Sequence, residues 1–438
     1  MLNVLLVDCV QRKNKVDFRY EGLALPYLAS YLRKYGNDYN VRIVDYDQFC
    51  QSILVSDFQP DIVGLSSITQ NYDLAKNVAR IIGEYMWWVP VVVGGYHISA
   101  LPNNLTSYMD FGVIGEGEVT FLELCNCVSD DHLDFMRDVN GVAFWHDGEL
   151  IVNKARELIR PLDEIPFPAR DLIKNNGKFY MFTSRGCCYN CRFCSSTSFW
   201  GCVRYFSAEY VVSEICSLVD NYGVSTIGFY DDVFVGNIKR LRSIVRLVKN
   251  SGVNVEFSCL ARSNLVNDEV ASLLSSMNVN SVSMGLESGN SRILNYLKGD
   301  SVSVLDNVNA VKVLHKYGIK VGASFVIGCP DETESEVLDT LRFVKDKCID
   351  FGETYVLMPF PDTDVWYECK DKGLVSDDMD WSKFSLKLDG HRLVVAEGVS
   401  RERLFVLMDM FKRLWKGKFL RYGVLHPSRA VKKFRSLF

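Results

Sequence analysis

The sequence predicts a multidomain α/β chain: a doubly wound parallel sheet, then an open partial β/α barrel, then a helical extension. Three observations carry this. Two stretches alternate short apolar runs with amphipathic helical patterns, as parallel sheets covered by helices do. A proline-marked connector separates them. At 438 residues the chain is also too long for one ordinary core.

In the first stretch the strand candidates are Val4–Val7, Val41–Val44, Ile62–Leu65, Val89–Val93 and Gly112–Ile114. Helical patterns such as Leu25–Lys34 and Tyr72–Tyr85 lie between them. Each strand runs into small or polar residues: Asp8, Asp45, Ser66-Ser67, Gly94-Gly95 and Gly115-Glu116-Gly117-Glu118. Ligands bind at the carboxyl ends of parallel strands, so these turns form one candidate mouth. Val142–Trp145 and Glu149–Val152 flank His146-Asp147-Gly148 as a hairpin, and Pro161, Pro166 and Pro168 mark a rigid connector.

A second series starts at Tyr180, with strands at Tyr180–Thr183, Thr226–Tyr230, Val255–Ser258, Ser281–Gly285, Gly322–Ile327 and Glu353–Met358. Helical patterns separate them, among them Ala208–Asn221, Ile238–Lys249, Val304–Tyr317 and Glu334–Asp346. Six units are too few for an eight-fold barrel, which leaves an open one. The boundaries expected are 1–140, a connector at 141–175, the barrel at 176–365, and an extension at 366–438.

Composition narrows the function classes. Hydrophobic residues make up 48% and the net charge is −5, which points to neither nucleic acid nor a membrane surface. One asymmetry stands out: from Phe411 onward there are nine Lys/Arg and no acid, which leaves 40 − 54 = −14 for the rest. The start, MLNVLLVDC, reads as a buried strand and not a signal peptide, and Met86–Gly95 is too short to span a bilayer. Fourteen cysteines in such a chain suggest reduced thiols and a metal site, hence the cytoplasm.

The segment Thr183-Ser-Arg-Gly-Cys-Cys-Tyr-Asn-Cys-Arg-Phe-Cys194 follows the first strand of the second series. Cys187, Cys191 and Cys194 have the spacing C-x3-C-x2-C. A loop with three thiolates can hold three corners of a cubane iron–sulfur cluster and leave the fourth iron open. Packed thiols or zinc are the alternatives, although no nearby CxxC or HxxxH completes a four-ligand zinc site.

This loop resembles the signature of radical S-adenosylmethionine (radical SAM) enzymes. The flanks match too: Pro166-Phe167-Pro168 before it, and Phe199-Trp200-Gly201 with Arg204 after it. The resemblance implies a partial (β/α)6 TIM-like barrel and a [4Fe–4S] cluster on the three cysteines. It implies SAM on the open iron, cleaved reductively to a 5′-deoxyadenosyl radical with electrons from a flavodoxin- or ferredoxin-type donor. Cys188 stands where such sequences often have proline, and the register leaves it a spectator. Gly285-Leu286-Glu287-Ser288-Gly289 resembles the segment near SAM's methionine end, and Gly328-Cys-Pro-Asp-Glu332 the adenine-contacting turn. Arg262 is a candidate partner for the SAM carboxylate, since arginine reads carboxylates bidentately. Asp231-Asp232 matches a pattern facing substrate or ribose. Pro359-Phe-Pro-Asp362-Thr363 departs from the usual Pro-Gly-Thr.

The first domain has no GxGxxG, so a dinucleotide is not favoured. Leu25-Pro26-Tyr-Leu-Ala29, Ser66-Ser67-Ile-Thr69, Gly94-Gly95-Tyr-His97 and Gly115–Glu118 resemble the Rossmann-like cobalamin-binding domain fused to many radical SAM enzymes. Glycines at such turns let backbone approach the flat corrin. Cobalamin-binding candidates are therefore Ser66, Thr69, Gly94, Gly95, Gly115, Glu116, Gly117 and Glu118. No Asp-x-His-x-x-Gly follows the first strand, so no histidine is evidently offered to cobalt, and His97 is expected to be a polar loop residue or tail contact.

The resemblance implies C-methylation of an unactivated carbon in a small-molecule or natural-product substrate, with barrel and cobalamin domain facing one another across the cavity. Radical rearrangement or ring formation without methyl transfer is the alternative within enzymes, and a non-catalytic cobalamin or iron–sulfur sensor the alternative outside them. The basic tail reads as a solvated helix face anchored by Phe411, Trp415, Phe419 and Tyr422, or as a rim for an anionic substrate.

Overall fold

A computed structural model describes residues 1–11, 22–52, 58–174, 177–384 and 392–425. The chain forms two compact units. The first comprises Met1–Met181, Ser195–Phe206 and Phe360–Leu393; the second comprises Phe182–Cys194, Ser207–Pro359 and the chain from Val394 onward. Two segments that lie beyond the connector in sequence, 195–206 and 360–393, thus cluster with the first unit, and the C-terminal extension is divided at Leu393.

The first unit is built on β1 (Leu2–Asp8), β2 (Tyr39–Asp45), β3 (Ile62–Ser66), β4 (Val91–Gly94) and β5 (Phe111–Val113), all parallel, in the order 2-1-3-4-5. Val4 sits between Val41 and Ile62 in register. β1 is apolar almost throughout because a central strand is covered on both faces. Helices α1 (Ala24–Tyr35) and α5 (Glu118–Ser129) bury Leu25, Ala29, Leu32, Phe121 and Leu124 in one core with Val4 and Leu6. Helices α2 (Tyr46–Ser52), α3 (Tyr72–Tyr85) and α4 (Tyr96–Ala100) complete the alternation. The sheet is mixed, not wholly parallel, because β6 (Val142–His146) and β7 (Glu149–Val152) extend it antiparallel beyond β5. Asp147 (φ 50°) and Gly148 (φ 81°) make the two-residue turn between them, which needs positive φ at both positions.

Short strands β8 (Phe179–Met181), β9 (Ser184–Arg185) and β10 (Arg204–Tyr205) and helix α6 (Ser196–Trp200) lead into the second series. The second unit carries parallel strands β11 (Thr226–Phe229), β12 (Glu256–Ala261), β13 (Val279–Glu287), β14 (Lys320–Ile327) and β15 (Phe351–Val356), each paired with the next. Between them run α7 (Ala208–Tyr222), α8 (Ile238–Ser251), α9 (Asp268–Ser276), α10 (Ser291–Lys298), α11 (Val304–Lys316) and α12 (Glu334–Asp346), followed by α13 (Asp364–Asp371) in the first unit and α14 (Arg401–Leu425) in the second. The starts are written in the sequence. Ser207, Asn237, Asn267 and Ser303 each accept a first-turn backbone N–H, while α7 and α8 stop at left-handed Gly223 and Gly252.

Helix α14 buries Phe411 and lays Trp415 against Phe325, with its indole N–H on Thr354 Oγ1 at 3.0 Å. Lys412, Arg413 and Lys416 are exposed, whereas Lys418 donates to the Lys347 carbonyl. Of the remaining tail cations, Arg429, Lys432, Lys433 and Arg435 lie outside the described residues, as does the side chain of Arg421. Among the described residues no helix is long and apolar enough to cross a membrane.

Candidate functional site

In the second unit the loop after β9 carries Cys187, Cys191 and Cys194, none of them in a disulfide and all half-buried, while Cys188 is exposed. The loop is fastened at its root. Asp231, buried at the end of β11, accepts from the backbone N–H of Thr183 (2.7 Å) and Ser184 (2.6 Å) and from the Thr183 hydroxyl. Arg240 closes the same corner on the Thr183 carbonyl. Burial pushes the Asp231 carboxyl up, against Arg240 and these hydrogen bonds. Asp231 therefore faces the base of the cysteine loop; its neighbour Asp232 is exposed.

Further along the loop, Arg192 N–H donates to the Leu297 carbonyl and Cys194 N–H to the Cys191 carbonyl. Arg262 is 4% exposed and donates from Nη1 to Cys191 Sγ at 3.1 Å. Burial pushes the Cys187 thiol up, and Asp232 and the neighbouring thiols add to it. Among the described residues no three His, Cys, Asp or Glu converge to hold a single metal ion. Thiolates that bind separate irons of a cubane need not converge on one ion, and three thiols outside any disulfide on one short loop are a suitable donor set for it.

The end of β13 is strained. Register slips between Gly285 and Glu287, and Glu287 holds φ +57°. Its buried carboxylate pairs with Lys298 at 3.3 Å, and Lys298 also donates to the Gly285 carbonyl. A Cβ on Gly285 would stand 2.0 Å from Glu287 Oε1, so a side chain there would displace the Glu287 carboxylate. Ser288 is fully buried, bonded to Thr340 (2.9 Å) and to Asn290 N–H (3.0 Å). At the end of β14, Glu332 folds back so that Oε2 accepts Gly328 N–H (2.6 Å) and Cys329 N–H (3.1 Å). Its Oε1 is buried without a partner, and burial pushes the carboxyl up to about 7. Lysine 298 was invisible in the sequence, because nothing there shows that a helix-terminal lysine turns inward.

In the first unit, the order 2-1-3-4-5 reverses direction between β1 and β3, and such a switch point is where open α/β sheets bind ligands. The chain there is tightly packed: Cys9 N–H donates to the Ser66 carbonyl and Ser67 N–H to the Gly94 carbonyl. Gly95 has φ +111°, and a Cβ on it would stand 2.2 Å from the Ser67 carbonyl oxygen. Gly115 has φ +77° with nothing within 4 Å of its missing side chain, so that turn presents bare backbone. Gly117 precedes α5, which opens with buried Glu118.

Two of the candidates are engaged within the protein. Glu116 is chelated by Arg204, from Nη1 and Nη2 at 2.8 Å each, and also accepts Ile159 N–H at 3.1 Å. Thr69 is buried against His97, its Oγ1 at 3.3 Å from Nδ1. His97 Nε2 lies 3.0 Å from Asn104 Oδ1, an acceptor, so Nε2 carries the proton and Nδ1 accepts from Thr69. The ring stacks on Tyr72 at 3.9 Å and meets the edge of Trp381, while Asn104 donates to the Asp377 carbonyl. Desolvation brings the His97 imidazole down to about 4. This histidine binds the segment around Trp381 to the sheet.

A family model described as the radical SAM superfamily matches residues 181–344, and one described as a B12 binding domain matches 12–125. An uncharacterized methyltransferase of Pyrococcus horikoshii is 34% identical over 383 residues, covering 83% of this chain and 81% of the relative. The chain belongs to the cobalamin-binding radical SAM enzymes. A second relative of this radical SAM chain is the cytidylyl-2-hydroxyethylphosphonate methyltransferase of Streptomyces wedmorensis, 27% identical, covering 81% of this chain and 78% of that one. The same fold is found in TsrM from Kitasatospora setae, a radical SAM methyltransferase solved with cobalamin and a [4Fe–4S] cluster. Its TM-score is 0.70 at 20% identity, over 85% of this chain and 78% of that one. As a member of this family the enzyme uses a [4Fe–4S] cluster, SAM and cobalamin.

Proposed function

We propose that this radical SAM enzyme methylates an unactivated carbon of a small-molecule substrate. Cys187, Cys191 and Cys194 would hold the cluster. Glu287, Ser288, Gly328 and Glu332 would shape the SAM site. Ser66, Thr69, Gly94, Gly95 and Gly115–Glu118 would shape the cobalamin site. When bound, the cluster with SAM supplies hydrogen abstraction from carbon, and cobalamin supplies the methyl group that replaces the hydrogen.

The protein's own contribution is positioning. Asp231 and Arg240 fix the root of the cysteine loop. Lys298 neutralises Glu287 at a strained strand end, keeping a carboxylate and an ammonium in fixed places beside one turn. Gly115 leaves backbone open for a large planar ligand. Buried His97 has both ring nitrogens occupied, which supports cobalamin bound without a histidine nitrogen.

The observation that carries the reading is the loop of three thiols outside any disulfide, in a chain whose match to a methyltransferase spans 83% of its length. The test is anaerobic turnover with reductant, methyl-labelled SAM and a small-molecule extract of cells carrying the gene. Formation of 5′-deoxyadenosine with label entering a new carbon–carbon bond is expected. 5′-Deoxyadenosine formed while product carries no label would move the assignment to rearrangement or ring formation, and no cleavage at all would move it to a sensor.

A further inference from the structure

Arg262 is a buried cation held against a cysteine of the loop, with both terminal nitrogens of its guanidinium engaged and Nε buried without a partner. Nη1 donates to Cys191 Sγ at 3.1 Å. Nη2 donates to Ser301 Oγ at 2.7 Å and to the Lys298 carbonyl at 3.4 Å. The guanidinium carbon lies 4.0 Å from the centre of the Tyr189 ring. Asn264, which donates to the Ser301 carbonyl, braces the same corner.

This geometry bears on what Arg262 can bind. A guanidinium grips a carboxylate through one of two edges, Nη1 with Nη2 or Nε with Nη2. Both occur in this chain: Arg204 uses the first on Glu116, and Arg403 uses the second on Glu334. Each edge includes Nη2. In Arg262 that nitrogen is engaged by Ser301 and Lys298, so neither edge is open to the carboxylate of SAM.

We infer that Arg262 acts on the cluster through Cys191, as a fixed positive charge and hydrogen-bond donor to the ligand sulfur, and is a positioning residue for it. The inference rests on the assignment of Cys191 as a cluster ligand. Its consequence follows from electrostatics. Reduction adds a negative charge to the cluster, and a buried cation beside a ligand sulfur favours the more negative state. Arg262 therefore raises the reduction potential and makes the first electron easier to accept. Tyr189 and Ser301 hold the charge in place beside the sulfur.

The experiment measures two quantities on anaerobically reconstituted protein: the cluster midpoint potential by EPR-monitored titration, and SAM affinity by equilibrium dialysis. Arg262→Gln should lower the one-electron reduction constant about tenfold, a shift of about 59 mV to more negative potential. Arg262→Lys, which keeps the charge and loses the fork, should shift it in the same direction by less, as should Ser301→Ala. SAM affinity of Arg262→Lys and Ser301→Ala should stay within about twofold, since neither change touches a SAM contact. Unchanged potentials with SAM affinity falling about tenfold would overturn the inference and return Arg262 to the SAM carboxylate. If Arg262→Gln does not fold, the other two variants decide by the same criteria. If the unsubstituted chain takes up no iron, the cysteine assignment fails, and the inference falls with it.

Discussion

Arg204 grips both oxygens of Glu116 at 2.8 Å, and neither side chain is more than 5% exposed. The pair joins the turn after β5 to a strand some ninety residues on, and Ile159 N–H adds the connector to the same carboxylate. Breaking one partner strands a buried charge, whereas replacing both removes it. Glu116→Gln or Arg204→Met should each cost about 3–5 kcal/mol of stability in denaturant titration. The double variant should cost less than the sum, and simple additivity would show that the two charges are not coupled.

The cysteines should divide cleanly. Cys187→Ala, Cys191→Ala and Cys194→Ala should each abolish iron uptake and SAM cleavage. Cys188→Ala should keep both, because that thiol is exposed and the spacing leaves it out. Iron content and visible absorption after anaerobic reconstitution check this. The register is wrong if Cys188→Ala loses the cluster and Cys187→Ala retains it.

His97 should leave cobalt alone. The EPR spectrum of bound cob(II)alamin should show no hyperfine splitting from a protein imidazole, and His97→Gln should still bind cobalamin. The buried ring also sets a pH dependence. Its folded value, about 4, lies below the ordinary value of 6.5, so the unfolded chain binds the extra proton first. Stability should be complete above about pH 6.5 and fall by up to about 3 kcal/mol as pH drops toward 4. Denaturation of the parent and His97→Gln across that range compares the two, and equal slopes would contradict the assignment.

Glu332 has the opposite sign. Burial raises its carboxyl to about 7 from the ordinary 4.5, so the folded chain keeps a proton that the unfolded chain loses. Its contribution should decline as pH rises from about 4.5 to 7, by roughly 3 kcal/mol at most. Glu336 and Arg292 are the charges that act on it. Glu332→Gln retains an acceptor for Gly328 and Cys329 N–H and should flatten the profile, leaving the variant more stable than the parent at pH 8. A variant with the parent's slope would show that Glu332 is ionised throughout.

On α14 the aromatic and basic residues should behave differently. Trp415→Ala removes a contact with Phe325 and the bond to Thr354, and should cost about 3 kcal/mol. Alanine at the exposed Lys412, Arg413 or Lys416 should change stability by less than about 0.5 kcal/mol. Melting curves decide the first point. Substrate KM of the three alanine variants tests whether these cations also meet an anionic substrate.

The two parallel series were legible because short apolar runs alternate with amphipathic helical patterns along the chain, and Ser207, Asn237, Asn267 and Ser303 then cap helices that start where those patterns do. The turn glycine Gly95 was legible as well, and it sits where a side chain would meet the Ser67 backbone. Partnerships across long intervals were not. Nothing in the spelling of Arg262, Asp231 or Glu116 shows that the first reaches Cys191, the second Thr183 and the third Arg204. The hairpin at Asp147-Gly148 was read correctly as a hairpin, but its place beside β5 depends on pairing, which local sequence does not encode.

The division of the chain bears on how such an enzyme can be taken apart. The polypeptide passes between the two units at residues 181/182, 194/195, 206/207, 359/360 and 393/394. A cut after Met181 would leave Ser195–Phe206 and Phe360–Leu393 behind, and with them Arg204 and Trp381, the partners of Glu116 and His97. A fragment ending there would expose a buried carboxylate and an aromatic stack to water. The two family matches lie one after the other in sequence like exchangeable cassettes, yet a working chimera would need all three segments of the first unit from the same parent.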